Sequence, residues 1–180
     1  MMSRRNFIKC SIASLCAYQL GNLQSVFAST GLESVTERAF KLYNIHTGER
    51  LHTCYRVGGN YIQEEVSRIN HFLRCHYANM VKPISIQVID LLWEIKNCFA
   101  AGKEINIISG YRSFEYNKHL RSLGRHVAEG SLHLDGLAID FAIPGIRTEK
   151  LAKAAVQLQA GGVGLYQEFV HIDVGRVRHW

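Results

Sequence analysis

The chain has 180 residues, enough for one domain with a sizeable core. A composition of 47% hydrophobic and 20% charged residues is that of a globular protein and excludes an intrinsically disordered one. The formal charge of +6 points to an acidic partner, but Arg4, Arg5 and Lys9 lie in a segment expected to be removed; without them 18 basic residues face 15 acidic ones, and nucleic acid is not an expected partner.

That segment is the N-terminus, where "SRRNFIK" precedes "CSIASLCAYQLGNLQSVFA". A twin arginine ahead of a modest apolar run reads as a twin-arginine export signal. The run is too short and too interrupted by polar residues to span a bilayer stably. Val26-Phe27-Ala28 offers small residues at the positions that a signal peptidase reads, so cleavage is expected after Ala28. The competing reading is an amphipathic N-terminal helix. The expected organisation is a signal over residues 1–28, a polar lead-in over 29–38 and one folded domain over 39–180, released into the periplasm without a membrane span. Cys54, Cys75 and Cys98 remain, an odd number without CxxC spacing. They read as buried small hydrophobes, with a single disulfide as the alternative in an oxidising compartment.

Along the domain, "AFKLYNIHTGERLHTCYRV" alternates around Thr47-Gly48-Glu49 and predicts a β-hairpin. "YIQEEVSRINHFLRCHY" carries Ile62, Val66, Ile69 and Leu73 at helical spacing. "SIQVIDLLWEIKNCFAAG" does the same with Val88, Leu91, Leu92, Ile95 and Phe99, and Gly102 is expected to stop that helix. "EINIISG" is a short buried strand, followed by the loop "YRSFEYN" and a helix over 114–123. "GLAIDFAI" is a strand ended by Pro144-Gly145, and "RTEKLAKAAVQLQA" a helix with Thr148 as its cap. "GGVGLY" and "FVHIDV" close the chain as paired strands. The order predicts an α+β fold with a central antiparallel sheet backed by helices.

Two stretches carry the chemistry. In "SLHLDGLAIDF", Leu137, Ile139, Phe141 and Ile143 point one way, while Gly136, Ala138, Asp140 and Ala142 point the other. Asp140 thus shares its face with small residues only. In "EFVHIDVG", Val170, Ile172 and Val174 face the core, and Phe169, His171 and Asp173 face away. If these strands pair, His171 sits beside Asp140. His133 lies seven residues before Asp140, roughly 23 Å when extended, whereas two donors on one zinc lie at most about 4 Å apart. The chain must fold back, and Asp135-Gly136 supplies the turn. Two imidazoles and one carboxylate would leave a zinc ion an open position. The alternative is that His133 caps a loop, Asp140 pairs with an arginine and His171 is a core histidine.

"SLHLDGLAIDF" resembles the S-x-H-x-x-G-x-A-x-D motif of the zinc D-Ala-D-Ala peptidase superfamily, which includes the VanX dipeptidases and several murein endopeptidases. "SGYRS" (109–113) resembles its arginine motif, and "AGGVGLYQEFVHIDVGRVRHW" is similar to the ending of the exported MepK-type murein endopeptidases. The resemblance implies a Hedgehog-like α+β domain with Zn2+ bound by His133, Asp140 and His171. It implies that Arg112 stabilises the developing oxyanion and that Ser131 lines the substrate site. His126 is a further candidate for the groove; His46, His52, His71, His76 and His119 show no ligand spacing.

Two carboxylates compete to be the general base. Glu168 stands three residues before His171, as in Glu-x-x-His relatives, and can serve only if residues 166–168 form a turn. Asp173 shares the face of His171, and its other role would be a hydrogen bond that orients that imidazole. The implied activity is hydrolysis of peptide cross-links in peptidoglycan, including 3-3 diaminopimelate links, by a monomeric protein. The alternatives are a carboxypeptidase or dipeptidase releasing terminal D-alanine, with Arg121 or Arg125 as the carboxylate's cation, and a non-catalytic zinc-containing wall-binding domain.

Overall fold

The computed structural model describes residues 36–99, 102–125 and 127–180. The expected export signal, most of the lead-in and His126 lie outside the described residues. The hairpin forms as β1 (Glu37–Asn44) and β2 (Arg50–Val57), with β1 starting two residues ahead of the predicted boundary. β3 (Asn60–Tyr61) follows, then α1 (Gln63–Phe72) and α2 (Ile86–Asn97). The second half contains β4 (Ile105–Ser109), α3 (Phe114–Ser122), a 3-10 turn (Leu132–Asp135), β5 (Ala138–Ala142) and α4 (Thr148–Gln157). β6 (Gly162–Leu165), β7 (Val170–Asp173) and β8 (Arg178–His179) complete it. No helix among the described residues is long and apolar enough to cross a membrane.

The eight strands form one sheet in the order β3-β2-β1-β4-β5-β7-β6-β8. The sheet is mixed rather than wholly antiparallel, because β1 runs parallel to β4 and β6 parallel to β8. The two-residue strands β3 and β8 escape the sequence pattern, which needs four or more residues to show alternation. Leu42, Ile105, Ile107, Ile139, Phe141, Val170 and Ile172 of the sheet belong to one core cluster with helix residues such as Val88, Leu92 and Leu151. Each such side chain contributes about 1.5–3 kcal/mol on burial.

Helix ends are less legible than helix faces. α1 stops at Phe72 and α2 at Asn97, so Leu73 is a cap and Phe99 packs on the core from outside the helix. Gly102 lies beyond the end of α2 at φ +88° rather than stopping it. Arg147, not Thr148, occupies the N-cap of α4. Ser85 and Ser113 cap α2 and α3 by accepting from the Gln87 and Tyr116 amides. All three cysteines are free; Cys75 is buried as expected, whereas Cys98 is exposed.

Candidate metal centre

β5 and β7 pair antiparallel with Asp140 opposite His171, Ile139 opposite Ile172 and Phe141 opposite Val170. Facing residues of an antiparallel pair share a side of the sheet, so alternation buries the isoleucines and phenylalanine in the core and leaves the acid and the imidazole on the other side. A β-bulge in β4 between Ile107 and Ser109 resets the register next to Asp140. His133 arrives from the 3-10 turn, and Gly136 closes that turn at φ +67°. A side chain at Gly136 would be strained there and would strike the Pro83 carbonyl.

The three candidate ligands converge. His133 Nε2 lies 3.2 Å from His171 Nδ1 and 3.2 Å from Asp140 Oδ1, and His171 Nδ1 lies 2.7 Å from the same oxygen. Donors in a tetrahedral zinc set, with bonds of 2.0–2.2 Å, stand about 3.4 Å apart. The outer ring nitrogens fit the same purpose. His133 Nδ1–H donates to the Gly110 carbonyl at 2.7 Å, and His171 Nε2–H donates to Asp173 Oδ2 at 3.2 Å. Each contact fixes a tautomer that turns the opposite nitrogen's lone pair into the cluster, as metal-ligating histidines require.

Electrostatics reflect this crowding. Burial opposes charge on Asp140, yet the neighbouring His133 charge and hydrogen bonds from His133 and His171 hold its carboxyl well below the usual range. Burial likewise opposes the His171 imidazolium, but hydrogen bonds to Asp140 and Asp173 outweigh it and push that pKa up to about 9. Arg112 is buried beside them, its Nη2 3.4 Å from Asp140 Oδ2 and 3.3 Å from Ser109 Oγ, its Nη1 3.3 Å from Asn117 Oδ1. Burial, partly offset by Asp140, lowers its pKa. The arginine pairing that the sequence offered as an alternative to metal binding therefore coexists with the ligand cluster.

The two candidate bases differ sharply. Asp173 is fully buried, and five donors surround its carboxylate. They are the Gly162 and Gly175 amides at 3.0 and 2.8 Å, both Nη atoms of Arg178 at 3.2 and 2.7 Å, and His171 Nε2 at 3.2 Å. Glu168 is exposed and lines the groove beside the cluster. It sits in the turn its role requires: the Tyr166 amide donates to the Phe169 carbonyl at 3.1 Å, and β7 starts only at Val170. Ser131 also lines the groove. Arg125 lines it too, whereas Arg121 pairs with Glu129 at the surface.

The groove has a volume of about 830 Å³ and crosses the sheet. Its β1 flank holds Ile45 and the packed rings of His46, His76 and Tyr116; its β8 flank holds Tyr166, Phe169 and Trp180. β5 and β7, which carry the cluster, lie between these flanks in strand order. Sequence reasoning missed several supports. Asn117 braces Arg112 while donating to the Ala128 carbonyl at 3.1 Å. Trp180 closes the sheet through backbone bonds to Val163 and Leu165 and stands 5.5 Å from the His171 ring, packed over Gly164 where any side chain would collide. Of the closing His179-Trp180 pair, Trp180 forms a wall of the groove.

The chain is also similar to known proteins. Residues 32–180 match the family model described as peptidoglycan L,D-endopeptidase MepK. The Escherichia coli K12 peptidoglycan L,D-endopeptidase MepK is 42% identical over 151 residues, covering 83% of each chain. The Haemophilus influenzae probable peptidoglycan L,D-endopeptidase MepK is 34% identical over 146 residues, covering 79% of this chain and 78% of its own. No solved structure matches the chain.

Proposed function

The chain belongs to the MepK family of peptidoglycan L,D-endopeptidases, and from that premise we propose that it cleaves murein peptide cross-links with a zinc ion held by His133, Asp140 and His171. It is a murein endopeptidase of the metallopeptidase class by membership. The observation that carries the zinc reading is the mutual approach of three ligand atoms from three segments, each imidazole oriented by an oxygen on its far nitrogen. A zinc ion there supplies Lewis acidity, lowering the pKa of a water towards about 7 and polarising the scissile carbonyl.

The side chains divide the remaining work. Glu168, exposed at the groove, takes the proton from the attacking water and returns it to the leaving amine. Asp173 cannot take that part without losing its ring of donors; it holds His171 in the ligating tautomer. Arg112 places positive charge beside the reacting carbonyl, where charge develops on oxygen. Ser131 contacts the bound peptide. A groove that extends past the cluster towards both the β1 and the β8 flank gives room for a substrate that continues in both directions, which favours an endopeptidase over a terminal trimmer. 3-3 diaminopimelate links are the proposed target. Residues 1–28 direct twin-arginine export to the periplasm, where the protein acts as a monomer on the wall.

The test is incubation of the purified protein with cross-linked muropeptide dimers, with zinc or with chelator. Zinc-dependent release of monomers is expected. Intact dimers under both conditions would overturn the proposal.

A further inference from the structure

On the β1 flank two histidines lie together that no ligand spacing predicts. His46 follows β1, and His76 follows α1. Their rings stack with centroids 4.0 Å apart and 16° between planes, and Tyr116 meets His76 edge-on at 4.9 Å. Both histidines line the groove. The metal-cluster imidazoles use both nitrogens within the protein, but no ring nitrogen of His46 or His76 has a protein partner among the described residues. Nor are these nitrogens sealed away, since Arg112 Nε is the one buried side-chain nitrogen or oxygen without a partner among the described residues. Two ring edges therefore present hydrogen-bonding groups side by side to whatever fills the groove.

The charges around them specify an anion. Among groove residues, Asp140 is balanced by Arg112 and two imidazoles, and Arg178 is engaged by Asp173. Arg125 lines the groove and its charge acts on Tyr116, the ring that meets His76, while the groove's other carboxylate, Glu168, belongs to the turn after β6. Burial, followed by the nearby His46 and Arg112 charges, lowers the pKa of His76, so its neutral ring meets a ligand as an N–H donor. On the endopeptidase reading above, the ligand follows from bond chemistry. When one amine of a diamino diacid is acylated in a cross-link, the carboxylate on the same carbon stays free beside the scissile amide.

We propose that His46 and His76, supported by Arg125, form a carboxylate-binding subsite that selects cross-links bearing a free carboxylate next to the cleaved amide. The test uses two synthetic cross-linked peptides that differ only there, one a free acid and the other its carboxamide. Binding to the zinc-free protein is measured by calorimetry and turnover by steady-state kinetics, for wild type, His46→Phe and His76→Phe. Phenylalanine keeps the stack and removes the nitrogens; thermal melting checks that each variant folds. The expected result is KM and Kd for the free acid raised about 10- to 100-fold, the worth of one charge-assisted hydrogen bond. kcat, and all values for the carboxamide, should stay within about twofold, a shift too small to count as a lost hydrogen bond. Equal affinity of wild type for the two peptides, or equal shifts for both in the variants, would overturn the subsite. If neither peptide is cleaved while wild type alone prefers the acid in calorimetry, the subsite stands and the endopeptidase reading falls.

Discussion

The two sides of the β5–β7 pair share one register and tolerate opposite chemistries. Towards the helices, Ile139 faces Ile172 and Phe141 faces Val170, all without exposed surface. Towards the groove, one residue along in each strand, Asp140 faces His171 and Ala138 faces Asp173. The first side needs only shape and apolarity, and its neighbours can be exchanged for others of like volume. The second works by distances of 2.7–3.2 Å between ionisable groups, for which no substitute of like volume exists. A sheet can carry both because its period of two separates them completely; the core side fixes the acid and the imidazole without contacting them.

Substitutions on each side break or sharpen this division, and the largest effect is expected at the ligands. His171→Ala should reduce cleavage to background and abolish zinc retention, read by elemental analysis, while the core keeps the protein folded in a thermal melt. Retained activity would end the division. Glu168→Gln should lower kcat by about 10²–10⁴ with metal content unchanged, the usual range for losing a general base. Phe141→Ala should cost about 3–5 kcal/mol in urea unfolding, with zinc stoichiometry preserved in the folded fraction. Asp173→Asn should weaken zinc binding about 10- to 100-fold in competition with a chromophoric chelator; an unchanged affinity would detach Asp173 from the centre.

Per unit of change, the smallest effect is one of pH. In the metal-free protein the His171 pKa stands at about 9, above its ordinary 6.5, and Asp140 is already ionised at neutral pH. A metal ion must therefore displace a proton from His171. Apparent zinc affinity should fall about tenfold for each unit of pH below about 9, with one proton released per ion in calorimetry. The same raised pKa stabilises the metal-free fold fully below pH 6.5 and ceases to do so as pH rises through about 9. Chelated protein should thus melt earlier at pH 9.5 than at pH 6. Zinc affinity that is flat across neutral pH would contradict the His171–Asp140 pairing.

Much of the proposed ligand set was legible because strand alternation isolates it: Asp140 stands among Gly136, Ala138 and Ala142, and no other carboxylate shares that strand. His171 follows from the same alternation once β7 is paired with β5. What alternation could not reveal depends on contacts between irregular segments. The donors around Asp173 come from Gly162, eleven residues earlier, and Arg178, five residues later, across a strand of two residues. The His46–His76 stack joins the turn after β1 to the turn after α1, where neither residue obeys a period. The parallel pairing of β1 with β4 is hidden for the same reason, since pairing partners far apart in the chain leave no local mark.

The central claim is most directly tested by anomalous diffraction at the zinc edge from crystals of the zinc-loaded protein. One strong peak within bonding distance of His133 Nε2, Asp140 Oδ1 and His171 Nδ1 is the predicted result. No peak among these atoms, or a peak at another cluster with this one empty, would contradict it.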